Sequence, residues 1–229
     1  MALILHIETA TEVCAVCLSE GGQLIQEVVN PTAYSHASAL TIMIRDLMAA
    51  CGKSLNSLDA VSLSNGPGSF TGLRVGAAVA KGICFALDKP LIAIDTLKSL
   101  AGAIALECEP GEWICPMIDA RRMEVYLALY NPSVEEVWGN QAMIIDGTNF
   151  EAIYKHGHRI AFGGNGASKC SEVLPAERSR FLDIPCAARH LIPFAEAAFA
   201  DAHFENLASY SPNYLKRPNI TVSKKGNPL

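Results

Sequence analysis

Gly66-Pro67-Gly68-Ser69-Phe70-Thr71-Gly72-Leu73-Arg74-Val75-Gly76 joins an apolar run over 59–65 to a long small-residue segment over 71–87. The spacing predicts strand, tight turn and helix. Glycines 66 and 68 allow backbone angles closed to other residues, Pro67 stiffens the turn, and Ser69 or Thr71 is placed to cap the first helical amides. A helix N-terminus offers unpaired N–H groups and partial positive charge, so Ser69 and Thr71 are candidate anion-binding residues. The run is not a P-loop: Thr71 stands five residues after Gly66 where glycine is needed, and Arg74 is the one nearby cation.

Working outward, 2–8, 13–19 and 23–29 read as a three-stranded meander, and 36–51 as a helix with Leu40, Ile44, Leu47 and Cys51 at helical spacing and Gly52 as its stop. Strand 90–95 and helix 96–107 follow the segment 71–87, which makes a mixed sheet with parallel crossovers. Near Glu109-Pro110-Gly111 the pattern starts again: strands at 113–119, 124–130 and 134–139, a helix at 148–156, a strand at 159–162, and the turn Gly163-Gly164-Asn165-Gly166 before a short helix. Helix 191–207 packs back across the molecule, and the basic tail 216–229 is loose. This recurrence predicts duplication of one α/β unit, with a first lobe at 1–108, a smaller second lobe at 109–190 and a returning helix plus tail at 191–229.

The 229 residues are half apolar and carry 18 basic against 23 acidic side chains. That net charge of −5 argues against a protein that holds nucleic acid by its own field. The short apolar N-terminus lacks a basic leader, no span approaches membrane-crossing length, and the expected compartment is the cytoplasm, with no membrane partner. Eight cysteines lie mostly inside apolar runs and read as core residues; Cys14 and Cys17, three apart in a strand, point to opposite faces. The six histidines show no zinc-site spacing, no nucleophile elbow is present, and neither a catalytic residue nor a metal ligand is assigned.

Two carboxylates close corresponding strands, Glu8 and Asp119. In a duplicated α/β fold they and the turn at Gly164 and Gly166 are candidate nucleotide or anion residues, with magnesium held through water. Glu8 could equally cap its own turn or pair with Arg121 or Arg122. The segment 71–87 is apolar or small nearly all round, as is 36–51, and two such neighbouring helices predict a subunit interface. Its candidate residues are Leu40, Met43, Leu47, Gly72, Leu73, Gly76, Ala77 and Ala80, with Gly72, Gly76 and Ala80 forming a smooth strip for another helix. The competing reading buries the helix within its own chain.

Residues 4–11, the run Gly66 to Gly76, residues 118–121 and Ser211-Pro212-Asn213-Tyr214-Leu215-Lys216 together resemble the bacterial TsaB (YeaZ) family, and the resemblance covers essentially the whole chain. It implies an actin, Hsp70 and sugar-kinase type of fold with two RNase-H-like lobes. It also implies a non-catalytic partner of a TsaD-like subunit in making threonylcarbamoyladenosine in tRNA, with a TsaE-like ATPase as third member, self-pairing when alone, and tRNA met only through the complex. The expected cofactor is none of its own, with ATP or ADP and magnesium bound weakly at the junction with a partner. TsaD uses histidines for its metal; here 95–102 holds none. Glu8 stands where the family commonly has aspartate and Lys216 where it commonly has arginine. The alternative is a nucleotide-dependent phosphotransferase or hydrolase using Glu8, Asp119 and the turn at 163–166, and a third reading is a metallopeptidase.

Overall fold

The computed structural model describes residues 1–30, 32 and 36–216. Its first sheet opens with the antiparallel strands β1 (Leu3–Glu8), β2 (Cys14–Glu20) and β3 (Gln23–Asn30). Helices α1 (His36–Ala50) and α2 (Phe70–Leu87) then carry the chain to β4 (Ala60–Ser64) and β5 (Leu91–Ile94), which add in parallel beside β1. The order is β3-β2-β1-β4-β5. The second sheet repeats it with β6 (Trp113–Asp119), β7 (Glu124–Tyr130), β8 (Glu136–Ile144), β9 (Ile160–Gly163) and β10 (Ser179–Leu182), ordered β10-β9-β6-β7-β8. Read from the other edge, this is the first order again, so the duplication legible in the sequence is a duplication of topology.

Strand β1 is buried on both faces, which is why it reads as an unbroken apolar run. Alternation sends Leu3, Leu5 and Ile7 under α1 and α2, and Ile4, His6 and Glu8 to the opposite face. There the last helix, α5 (Ile192–Ala200), returns to the first sheet and covers Ile4, Ala60 and Ile92. Cys14 sits in the core beneath α1, Cys17 against Ala188 and Ile192 on the other face, and both thiols are free.

Helix α3 (Thr96–Ala105) starts on Asp95, whose Oδ1 accepts from the Lys98 N–H at 2.9 Å. Its buried residues Leu97, Leu100 and Ile104 pack on Ile114, Ile118 and Ala161 of the second sheet. A boundary at 108 therefore leaves with the first lobe a helix whose apolar face belongs to the core of the second.

Several elements depart from the sequence reading. Strand β8 runs over Glu136–Ile144 and not 134–139, because Val134 is used in the hairpin turn, donating to the Asn131 carbonyl at 2.9 Å. Strand β10 was not anticipated; it has four residues and two of them, Ser179 and Arg180, are polar. Instead of 148–156, helix α4 is Glu151–Lys155, since Asp146 Oδ1 ties the preceding residues into a turn through the Thr148 N–H. Helix α5 stops at Ala200 rather than 207: Ala202 takes a left-handed φ of 52°, His203 N–H reaches back to the Ala198 carbonyl, and Phe204 folds onto Phe199. Helix α2, at 18 residues, is long and apolar enough by length and composition to cross a membrane, contrary to the expectation that no span approaches that length. Of the tail, only Lys216 falls within the described residues; 217–229 lie outside them.

Candidate functional site

The glycine run docks the start of α2 on the tip of the β1–β2 hairpin. Gly66, joined by a cis peptide bond to Pro67, has a φ of 101°. Ser69 caps the helix by accepting the Gly72 N–H at 3.3 Å, while its own N–H donates to the Ala10 carbonyl at 2.6 Å. A Cβ on Gly68, Gly72 or Gly76 would fall under 3.0 Å from the Ala10 carbonyl, the Thr9 carbonyl and the Thr9 hydroxyl, respectively. The strip of small residues is thus filled by the chain's own hairpin. Two of the amides that an anion would need, those of Ser69 and Gly72, are already paired, and the exposed Thr71 stands to one side of them.

All eight residues expected at a subunit interface, Leu40, Met43, Leu47, Gly72, Leu73, Gly76, Ala77 and Ala80, are buried inside the fold. Helical period identifies a stripe but not what it meets, and here that stripe meets β1, β2, β4 and the hairpin tip. The outward faces of the same two helices are mixed, apolar in part but carrying Arg45 and Asp46 on α1 and Arg74 on α2. Between them lies a groove of about 550 Å³ floored by Ile44 and Met48, with Arg45 and Ala49 on one wall and Ala78, Val79, Gly82 and Ala86 on the other. Phe85 (84 % exposed) on α2 and Ile42 (49 % exposed) on α1 are further exposed apolar side chains, outside the lining of the groove.

Glu8 and Asp119 occupy equivalent strand ends in unlike surroundings. Glu8 is buried; its Oε1 accepts from the Ala10 N–H at 2.6 Å, its Oε2 has no hydrogen-bond partner of normal geometry among the described residues, and burial, opposed in part by the Ala10 amide and the nearby Ser64 hydroxyl, pushes its pKa up from 4.5 to about 7. Of the readings open for it, the structure takes the turn cap. Asp119 is exposed and ion-paired with Lys169. Its N–H donates to Asn165 Oδ1 at 3.0 Å, and Asn165 Nδ2 donates across the lobes to Glu12 Oε2 at 2.6 Å. A Cβ on Gly164 or Gly166 would fall within 3.0 Å of the backbone at 117–119, so that turn is pressed on β6 as the Gly66 turn is pressed on the first hairpin. These residues do not form an open magnesium-phosphate cradle: Glu8 commits Oε1 to its own turn and leaves Oε2 buried, Asp119 is paired with lysine, and Gly164 and Gly166 lie against the backbone of β6. Among the described residues no three His, Cys, Asp or Glu side chains gather as metal ligands.

The segment 211–216 closes this end of the molecule. Asn213 N–H donates to the Asn65 carbonyl at 2.7 Å, Tyr210 OH to Asn65 Oδ1 at 3.0 Å, and Lys81 Nζ to the Tyr210 carbonyl at 3.1 Å. Tyr214 lies on Phe70 with ring centroids 4.9 Å apart, and Lys216 pairs with Glu124 of the second lobe. Sequence reasoning gave these residues no structural role; the Tyr and Pro amid polar neighbours were the available signal.

A family model described as TsaD, tRNA N6-adenosine threonylcarbamoyltransferase, matches residues 26–223. The tRNA threonylcarbamoyladenosine biosynthesis protein TsaB of Haemophilus influenzae is 40% identical over 127 residues, 55% of this chain and 52% of that protein. The chain belongs to the TsaB (YeaZ) family. The matched stretch thus spans about half the length of the Haemophilus relative, whereas the solved YeaZ of Pseudomonas aeruginosa is covered completely, at 28% identity, over 94% of this chain, with a TM-score of 0.77. The activator of 2-hydroxyisocaproyl-CoA dehydratase from Clostridium difficile, solved with bound ADPNP, superposes with a TM-score of 0.53 at 7% identity and shares the fold alone. That fold is actin-like, and the TsaB family is a distant relative of the TsaD family within it.

Proposed function

We propose that this chain acts in tRNA threonylcarbamoyladenosine biosynthesis as a non-catalytic scaffold, pairing with a TsaD-like catalytic subunit through the outward faces of α1 and α2. The observation that carries the reading is the groove between Arg45 and Ala49 on one helix and Ala78, Gly82 and Ala86 on the other, with Phe85 exposed beside it. A largely apolar groove of this kind between two packed helices is what a protein interface buries. Family membership supports the process, and the unlike surroundings of Glu8 and Asp119 support the absence of chemistry. In this reading the same surface pairs two copies when the partner is missing, a TsaE-like ATPase joins the pair, and any adenine nucleotide lodges at the subunit junction.

The test uses Gly82→Glu and Ala86→Glu, both on the exposed wall; a side chain at Gly82 enters open space. Each is mixed with the TsaD-like subunit and run on a sizing column. Loss of co-elution with an unchanged circular dichroism spectrum is expected, together with loss of tRNA modification in the reconstituted system. Co-elution of both variants at wild-type level would place the interface elsewhere.

A further inference from the structure

Around the C-terminal segment the molecule, acidic overall, presents three exposed guanidinium groups, those of Arg74, Arg121 and Arg122, none of them in an ion pair among the described residues. A run of contacts leads from Arg74 to Arg121. The Arg74 guanidinium lies over the Phe70 ring, 4.4 Å from its centroid; Phe70 stacks on Tyr214; two residues on, Lys216 pairs with Glu124; and the Glu124 N–H donates at 3.1 Å to the carbonyl of Arg121. Arg121 and Arg122 sit consecutively at the β6–β7 tip with φ of 75° and 53°, a left-handed pair that arginine adopts only under constraint from the surrounding turn. The neighbouring carboxylates do not neutralise them: Asp119 is taken by Lys169 and Glu124 by Lys216.

We propose that this surface binds an RNA strand, with Arg121 and Arg122 on backbone phosphates and the Arg74–Phe70–Tyr214 stack receiving a base. Planar guanidinium forks match phosphate oxygens, and partly exposed aromatic rings beside an arginine plane are the sequence-tolerant platform on which unpaired bases stack. An acidic peptide would use the arginines but not the rings. The net charge of −5 opposes long-range attraction, so binding is short-ranged and steep in salt. The inference stands apart from the scaffold reading, because none of these residues lines the groove between α1 and α2.

The test is fluorescence anisotropy of labelled tRNA with the full chain at about 50 mM and about 200 mM salt, with heparin as a second probe. The paired substitution Arg121→Gln with Arg122→Gln is expected to weaken tRNA binding about tenfold and to lower the salt slope by about two. Arg74→Glu, on a regular helix where the turn geometry is not at stake, should weaken it similarly, and Tyr214→Ala should weaken tRNA binding while leaving heparin binding unchanged. No binding at the lower salt overturns the proposal, as does wild-type affinity in Arg74→Glu and the paired variant. Equal effects of Tyr214→Ala on tRNA and heparin also overturn it, since that surface would be an attractor of any polyanion. Co-elution with the TsaD-like subunit, read in parallel, tests the scaffold reading independently.

Discussion

Gly72 lies so close to Thr9 that a methyl group on its Cα would fall under 3.0 Å from the Thr9 carbonyl oxygen. Gly76, one turn further along α2, meets the Thr9 hydroxyl in the same way. The helix therefore seats on the first hairpin through glycines, and Gly72→Ala must move either a helix or a strand end. Overpacking of this sort costs about 2 kcal/mol, which for a chain of this length lowers the melting temperature by roughly 4–8 °C. Gly82 is the control: it lies in the same helix, exposed, with nothing near its added Cβ. Gly82→Ala should raise stability by about 0.5–1 kcal/mol through helix propensity. Urea unfolding of the two variants checks both signs; a tolerated Gly72→Ala would show that the hairpin contact is slack.

Asn165 holds the two hairpin tips together, accepting from the Asp119 N–H and donating to Glu12 Oε2. Asn165→Asp replaces the donor with an acceptor and brings a carboxylate against Glu12, so an attraction becomes a repulsion. Stability should fall by about 1–3 kcal/mol, the cost of breaking a hydrogen bond to a charged group and leaving it unpaired. Hydrogen exchange should quicken at residues 9–12 and 117–121 more than in the cores of either sheet. Unchanged protection at those tips would mean that other contacts fix the lobes.

What was legible in the sequence follows from how many physical signals agreed. The lobe repeat was plain because strands buried on both faces, such as β1, and glycine turns after β4 and β9 mark themselves by composition. The inward or outward sense of Gly72, Gly76 and Ala80 was not, because small residues serve close packing on any neighbour and only the fold reveals that Thr9 is there. Helix α5 was overextended because Ala202, Phe204 and Leu207 suit a helix and a folded-back segment equally. The strand β10 and the Asn165 bridge carried no periodic signal at all. Glu8 shows the limit at a site: its strand position was clear, but whether its carboxylate faced a ligand or its own turn depended on packing from a distant part of the chain.

Buried Glu8 also makes stability depend on pH in a way that one substitution isolates. Its folded pKa of about 7 lies above the ordinary 4.5, so between these values the native state keeps a proton that the unfolded chain has released. Stability from this group is full below about pH 4.5 and is lost as pH rises toward 7, at about 1.4 kcal/mol per unit and about 3 kcal/mol in all. Burial of His6, held between the Ser62 and Ser19 hydroxyls at 2.7 and 2.8 Å, lowers its pKa to about 3, and burial of His190 lowers that of its imidazole to about 4. Those groups act with the opposite sign, weakening the fold as pH drops below 6.5, and they mask Glu8 in the wild-type profile. Glu8→Gln leaves both histidines in place and keeps an oxygen for the Ala10 N–H. The unfolding free energy of the variant minus that of the wild type should therefore climb by about 3 kcal/mol from pH 4.5 to 7, measured by urea titration at each pH. A difference that stays flat would show that Glu8 is ionised in the folded chain and that water or a cation reaches its Oε2.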